Sequence, residues 1–140
     1  MTKYLLDTSA VIYLFEQNNQ QVIDLLTGGE EPKFWLSTVT RGELAKGVAA
    51  ATGEIAADRA ETKRLAVGHA KWVQPDDGIA DHWGRLAAKA ARKVANNDLW
   101  IAASAVQLAV PLVTGDLALA DFADTVGLDV IRITPTSRPA

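Results

Sequence analysis

A chain of 140 residues with 49% hydrophobic and 22% charged side chains has the balance of one globular domain, long enough to bury a core without staples. The absence of cysteine excludes a disulfide framework and any thiolate metal site, and it suits a reducing compartment. A net charge of -3 argues against coating nucleic acid by bulk charge, and the N-terminal apolar run, broken by Asp7, falls short of the ~20 residues of a membrane span. Nothing after Lys3 reads as a cleavable leader, so a cytoplasmic location is expected.

Tyr4-Leu5-Leu6 is apolar at successive positions, as in a strand buried on both faces, and it ends on Asp7. Thr8 or Ser9 is expected to cap a helix carrying Val11, Ile12, Leu14 and Phe15. A polar turn over 17–21 precedes a short helix from Val22 to Leu26, stopped by Gly28-Gly29. Phe34-Trp35-Leu36 is a second buried strand, and Ser37 or Thr38 caps a helix through Val39, Leu44 and Val48. The alanine-rich stretch to Ala70 reads as helix broken near Thr52-Gly53, and Pro75-Asp76-Asp77-Gly78 as a turn. Ile79, Trp83, Leu86, Ala90 and Val94 recur at helical spacing, which predicts an amphipathic helix up to Val94. Asn96-Asn97 recaps the chain into a helix with Leu99, Ala102, Ala103, Val106 and Ala109 inward. Val110 to Thr114 is a strand, with Pro111 near its start, and Gly115-Asp116 turns into a short helix holding Leu119 and Phe122. Val130 to Ile133 is the last strand, and 135–140 a frayed tail. Strands separated by helices require crossovers, so the expected fold is a single α/β domain over 1–140. Its sheet is mainly parallel, with helices on both faces.

The acids fall at telling places. Asp7 and Asp116 each follow a strand, Asp98 lies in the first turn of a helix, and Glu43 sits one turn into the helix after the second strand. Singly, each has a bland explanation: Asp98 and Asp116 favour their helix N-termini by ~0.3–1 kcal/mol, and Glu43 can pair with Lys46 at the surface. Together, their places at strand ends and early helical turns lead one to expect them at one edge of the sheet. Two carboxylates ~5 Å apart repel by roughly 3 kcal/mol at an effective dielectric near 20, so four need a compensating cation. All-oxygen ligation selects a hard ion, Mg²⁺ or Mn²⁺, which suits phosphoryl chemistry because it activates water and stabilises phosphate charge. Thr8, Ser9 and Thr114 can orient the carboxylates, while His69 and His82 stand isolated.

These residues carry a resemblance. Tyr4-Leu5-Leu6-Asp7-Thr8-Ser9, the stretch from Ser37 to Gly47 around Glu43, and Asn97-Asp98-Leu99-Trp100-Ile101-Ala102-Ala103 resemble successive motifs of PIN-domain ribonucleases. Leu112 to Asp116 followed by Asp121-Phe122 resembles the last. The likeness is closest to the VapC-type toxins of bacterial toxin–antitoxin modules. It implies a PIN-like three-layer sandwich, Mg²⁺-dependent RNA cleavage, a cognate VapB-type antitoxin and a homodimer. Asp116 and Asp121 compete for the fourth acid, and Asp116 is favoured because it follows its strand as Asp7 does.

Arg85, Lys89, Arg92 and Lys93 fall at i, i+4, i+7 and i+8, a stripe that tracks an RNA backbone if it is more than a solvated face. The four tryptophans are scattered and read as packing residues rather than a base-stacking platform. Tyr13 and Phe15 cannot both face the core with Ile12 and Leu14, so the first helical pair leaves surface uncovered, which the resemblance assigns to an antitoxin helix. Two other classes remain: a phosphatase or phosphoacceptor using Asp7, and a non-catalytic partner that keeps the fold.

Overall fold

The structure is a computed structural model, which describes residues 2–16, 24, 28 and 31–133. The elements are β1 (Leu5–Leu6), α1 (Thr8–Glu16), β2 (Phe34–Ser37), α2 (Thr38–Ala49), α3 (Gly53–His69), β3 (Ala70–Val73), α4 (Asp77–Lys89), α5 (Asn96–Leu108), β4 (Leu112–Thr114), α6 (Leu117–Thr125) and β5 (Val130–Arg132). The strands form one sheet in the order β3-β2-β1-β4-β5, with every pair parallel. Leu5 stands opposite both Trp35 and Leu112, so β1 is the centre of the sheet.

The pleat divides the core. Leu5 points into a cluster with Ile79, Leu86, Leu99, Ile101 and Leu119, while Leu6 points into one with Val11, Leu14, Phe34, Leu36 and Leu44. Helices α4, α5 and α6 therefore cover one face, and α1, α2 and α3 the other. Leu5 and Leu6 are 0% and 2% exposed, and burying each side chain stabilises by about 1.5–3 kcal/mol. From β1 the chain winds outward through β2 to β3, then returns to place β4 on the other side of β1. The winding reverses between β1 and β4, and in open parallel sheets the crevice at such a reversal is where ligands bind.

Three local expectations are corrected. β3 was not expected: Ala70-Lys71-Trp72-Val73 follows α3 with no punctuation, and as an edge strand it keeps Lys71 exposed, so no apolar run announces it. Helix α4 ends at Lys89 rather than Val94. Ala90 is extended (ψ 140°), and Val94 reaches the core from the following turn, which imitates one more helical repeat. Asp76 is the N-cap of α4, accepting from the Ile79 amide at 2.9 Å, where the sequence suggested only a turn. The expected helix from Val22 to Leu26 and the tail over 135–140 lie outside the described residues. Among the described residues, no helix is long and apolar enough to cross a membrane.

Candidate active site

Asp7 lies where β1 gives way to α1, in the crevice beside β4. Its backbone amide donates to the Val113 carbonyl at 3.0 Å, and its own carbonyl accepts from the Val11 amide at 3.1 Å. Its Oδ1 accepts from the Ala10 amide at 2.8 Å and from Ser9 Oγ at 2.7 Å. Asp7 is therefore itself the N-cap, not Thr8 or Ser9 as expected. The capping carboxylate frees both hydroxyls for longer-range bonds.

Those bonds build the site. Thr114 Oγ1 donates to Asp7 Oδ2 and accepts from the Asp116 amide at 3.0 Å, while Ser9 Oγ accepts from the Gly115 amide at 2.9 Å. The two turns that end β1 and β4 are thus stitched together although 106 residues separate Ser9 from Gly115. Asp116 caps α6 by accepting from the Leu119 amide at 3.2 Å. On the other side, Thr8 Oγ1 donates to Glu43 Oε1 at 2.7 Å and lies 3.2 Å from Thr40 Oγ1. The Thr8 hydroxyl has one proton, so the Thr40 hydroxyl supplies the second hydrogen bond, giving a chain from Thr40 through Thr8 to Glu43. Thr40 is fully buried and has no sequence signal beyond sharing a helical face with Glu43 three residues on.

The electrostatics show which acids meet. Asp7 is 1% exposed, and burial pushes its carboxyl above the ordinary value against the opposing hydrogen bonds from Thr114, Ala10 and Ser9; the negative charge of Asp116 adds to the rise. Asp98, half-buried in the first turn of α5, is pushed up to about 6, first by burial and then by the charges of Asp116, Asp7 and Glu43. The four acids share one field. Asp121 does not: it is exposed on α6 and pairs with Arg132 at 3.0 Å. Asp116 is the acid in the crevice.

The donors are carboxylates and hydroxyls alone, the set a hard cation prefers. Among the described residues no three acidic or histidine side chains already stand as a closed ligand set. The carboxylates fit an ion that keeps several of its own waters and takes only one or two carboxylates directly, as Mg²⁺ does. Asp7, Asp98, Asp116 and Glu43 are the residues that would hold it.

The basic stripe lies elsewhere. Arg85 and Lys89 line a cavity of about 410 Å³ with Ala109, Val110 and the stretch from Gly127 to Asp129, which precede β4 and β5 at the sheet edge opposite the acids. Arg85 Nη2 donates to His82 Nδ1 at 2.7 Å, and His82 Nε2 donates to Gln107 Oε1 at 3.0 Å. Arg92 and Lys93 fall in the turn beyond α4, so the four cations do not share a helix face. His69 sits 3.0 Å from Glu31, away from the crevice. The tryptophans pack: Trp83 stacks on Trp100 at 5.1 Å, Lys71 lies over Trp35 and Arg41 over Trp72.

Acids at the winding reversal of a five-stranded parallel sheet, on strand ends and first helical turns, define a PIN domain. The chain belongs to the PIN-domain family, whose sequence profile matches residues 4–125. Ribonuclease VapC5 of Mycobacterium tuberculosis is 34% identical over 133 residues, covering 92% of this chain and 94% of that protein. Ribonuclease VapC1 of Haemophilus influenzae strain R2866 is 32% identical over 121 residues, covering 79% and 84%. Among solved structures, VapBC-5 of Mycobacterium tuberculosis, a member of the VapBC family of toxin–antitoxin systems, superposes with a TM-score of 0.70 at 32% identity, over 92% of this chain and 97% of that one. Within the PIN-domain family this chain stands with the VapC ribonucleases.

Proposed function

We propose that this protein is a Mg²⁺-dependent endoribonuclease, the toxin of a toxin–antitoxin pair held in check by a VapB-type antitoxin. The observation that carries the reading is the convergence of Asp7, Glu43, Asp98 and Asp116, in which burial first, and then the charges of the other three acids, push Asp98 up to about 6. Such a cluster is costly unless a cation belongs in it. The bound ion, Mg²⁺ or Mn²⁺, would supply a water of lowered pKa and stabilise charge on the phosphate oxygens. The chain's own residues do the rest. Asp7 is locked by Ser9, Ala10 and Thr114, so its carboxylate would be a fixed ligand for the ion that needs no reorganisation. Glu43 is held through Thr8, and Asp98 stands half-buried beside the other three acids, where either a carboxylate or the ion's own water could activate the attacking water.

A phosphoacceptor role for Asp7 is disfavoured by its surroundings: both carboxylate oxygens accept hydrogen bonds and the residue is 1% exposed, which leaves no line of attack on a phosphorus atom. The test is cleavage of RNA by purified wild type and Asp7→Asn protein, with Mg²⁺ and with EDTA. Cleavage lost with EDTA, restored by Mg²⁺ or Mn²⁺ and absent in the variant is the expected result. Equal cleavage by the variant would remove Asp7 from the site. Sedimentation of the purified chain is expected to give a homodimer.

A further inference from the structure

A recess of about 340 Å³ opens from the acid crevice between α1, α2 and α3. Thr8 and Glu43, which belong to the candidate active site, form its inner end; Ile12 and Leu44 form an apolar floor, and Glu16 and Arg59 stand at its outer end. Arg59 Nη1 donates to the Gly47 carbonyl at 2.8 Å, which anchors the guanidinium and leaves Nε and Nη2 uncommitted. Among the described residues neither Glu16 nor Arg59 makes an ion pair. An acid and a base therefore face one small recess without neutralising each other.

We infer that this recess is a guanine subsite, taking the base of a nucleotide whose phosphate lies where the acids would hold the cation; this rests on the ribonuclease reading. Charge decides the occupant. A cationic side chain from a peptide would meet Arg59, and an anionic one would meet Glu16 and Glu43. A neutral planar ligand that offers two acceptors on one edge and two donors on another satisfies both. Guanine has that pattern: O6 and N7 accept from an arginine fork, and N1–H and N2–H₂ donate to a carboxylate. Adenine offers no donor pair, and the pyrimidines lack N7, so each leaves one charge unmet. The reach agrees as well. Thr8 and Glu16 are eight residues apart on α1, a rise of about 12 Å, close to the span from a backbone phosphate to the far edge of its purine. Single-stranded RNA presents unstacked bases to pockets of this kind, and a volume near 300 Å³ is at the small end of ligand sites.

The test uses intact protein and short uridine-rich RNAs carrying one guanine, or adenine, inosine or 7-deazaguanine in its place. Binding is read by fluorescence anisotropy with Ca²⁺ in place of Mg²⁺, and cleavage separately in Mg²⁺. The guanine oligomer is expected to bind roughly tenfold or more tighter than the adenine one. Inosine, which lacks the N2 amino group, should weaken binding to wild type and not to Glu16→Gln. 7-Deazaguanine, which lacks N7, should weaken binding to wild type and not to Arg59→Gln. Equal affinity of wild type for guanine and adenine oligomers overturns the inference, as do analogue losses that persist unchanged in the variants. Base-independent binding of RNA, together with weaker capture of a lysine-rich apolar peptide by Glu16→Gln, would give the recess to a peptide and overturn it too. Guanine preference without cleavage in Mg²⁺ keeps the subsite and removes the ribonuclease reading; cleavage without guanine preference does the reverse.

Discussion

Replacing Asp98 by asparagine separates a mere helix-end acid from a member of a strained cluster, because the two readings predict opposite signs. As a simple first-turn acid, Asp98 favours its helix, and its neutralisation destabilises by ~0.3–1 kcal/mol. In the structure its carboxyl is raised from 3.8 to about 6 by burial and by three other acids. A rise of about two pH units is worth roughly 3 kcal/mol, and because the group is only half-buried, solvent screening reduces this to about 1–2 kcal/mol. The folded state binds this proton more tightly than the unfolded chain. The associated stability is therefore complete below pH 3.8 and lost as pH rises through about 6. At pH 7.5 without divalent ions, Asp98→Asn is expected to be the more stable protein, with a Tm higher by about 3–8 °C. The gain should vanish towards pH 4, and added Mg²⁺ should stabilise wild type more than the variant. Thermal melts by circular dichroism across that pH range, with and without Mg²⁺, measure all three. A lower Tm for the variant at pH 7.5 would show that the acids do not share a field, and the cation argument would fall with them.

Thr114→Val removes the hydroxyl that solvates buried Asp7 and is expected to cost about 1–3 kcal/mol in urea titrations at pH 7, with a smaller loss at acid pH where Asp7 is neutral. A Cβ on Gly115 would stand 2.1 Å from the Tyr13 ring, so Gly115→Ala should cost about 1–3 kcal/mol. Adding Tyr13→Ala should relieve that clash, which a double-mutant cycle detects as non-additivity. Thr40→Val breaks the hydroxyl chain to Glu43 and should slow RNA cleavage at saturating substrate, with Thr40→Ser restoring it. Reversing the charges of Arg85 and Lys89, at the far sheet edge, should leave the salt dependence of RNA binding unchanged; a shallower slope would place RNA there.

Much of the fold was legible because the chain marks it strongly. Unbroken apolar runs name β1, β2 and β4, hydroxyl or acidic residues open helices after them, and Gly127 follows the end of α6 at positive φ. Both terminal apolar patterns that misled, the missing β3 and the overlong α4, share one cause. Apolar periodicity records which side chains are buried, and Val94 is buried from a turn while Lys71 sits in a strand and stays exposed.

For the site, sequence alone determined the donor chemistry: carboxylates at strand ends and first helical turns, hydroxyls beside them, and no sulfur. It also placed Asp7 and Asp116 at equivalent points of two strands. Only the tertiary structure decided that β4 lies against β1, because strand order depends on which crossover the chain takes and not on any local pattern. That neighbourhood lets Thr114 and Ser9 tie the two turns together and places Asp98 under the charges of Asp116, Asp7 and Glu43. It also separates Asp116 from Asp121: five residues apart on one short stretch, one faces the crevice and the other an arginine on β5. The reach of a charge is a matter of distance through space, and sequence spacing fixes that distance only within a single element.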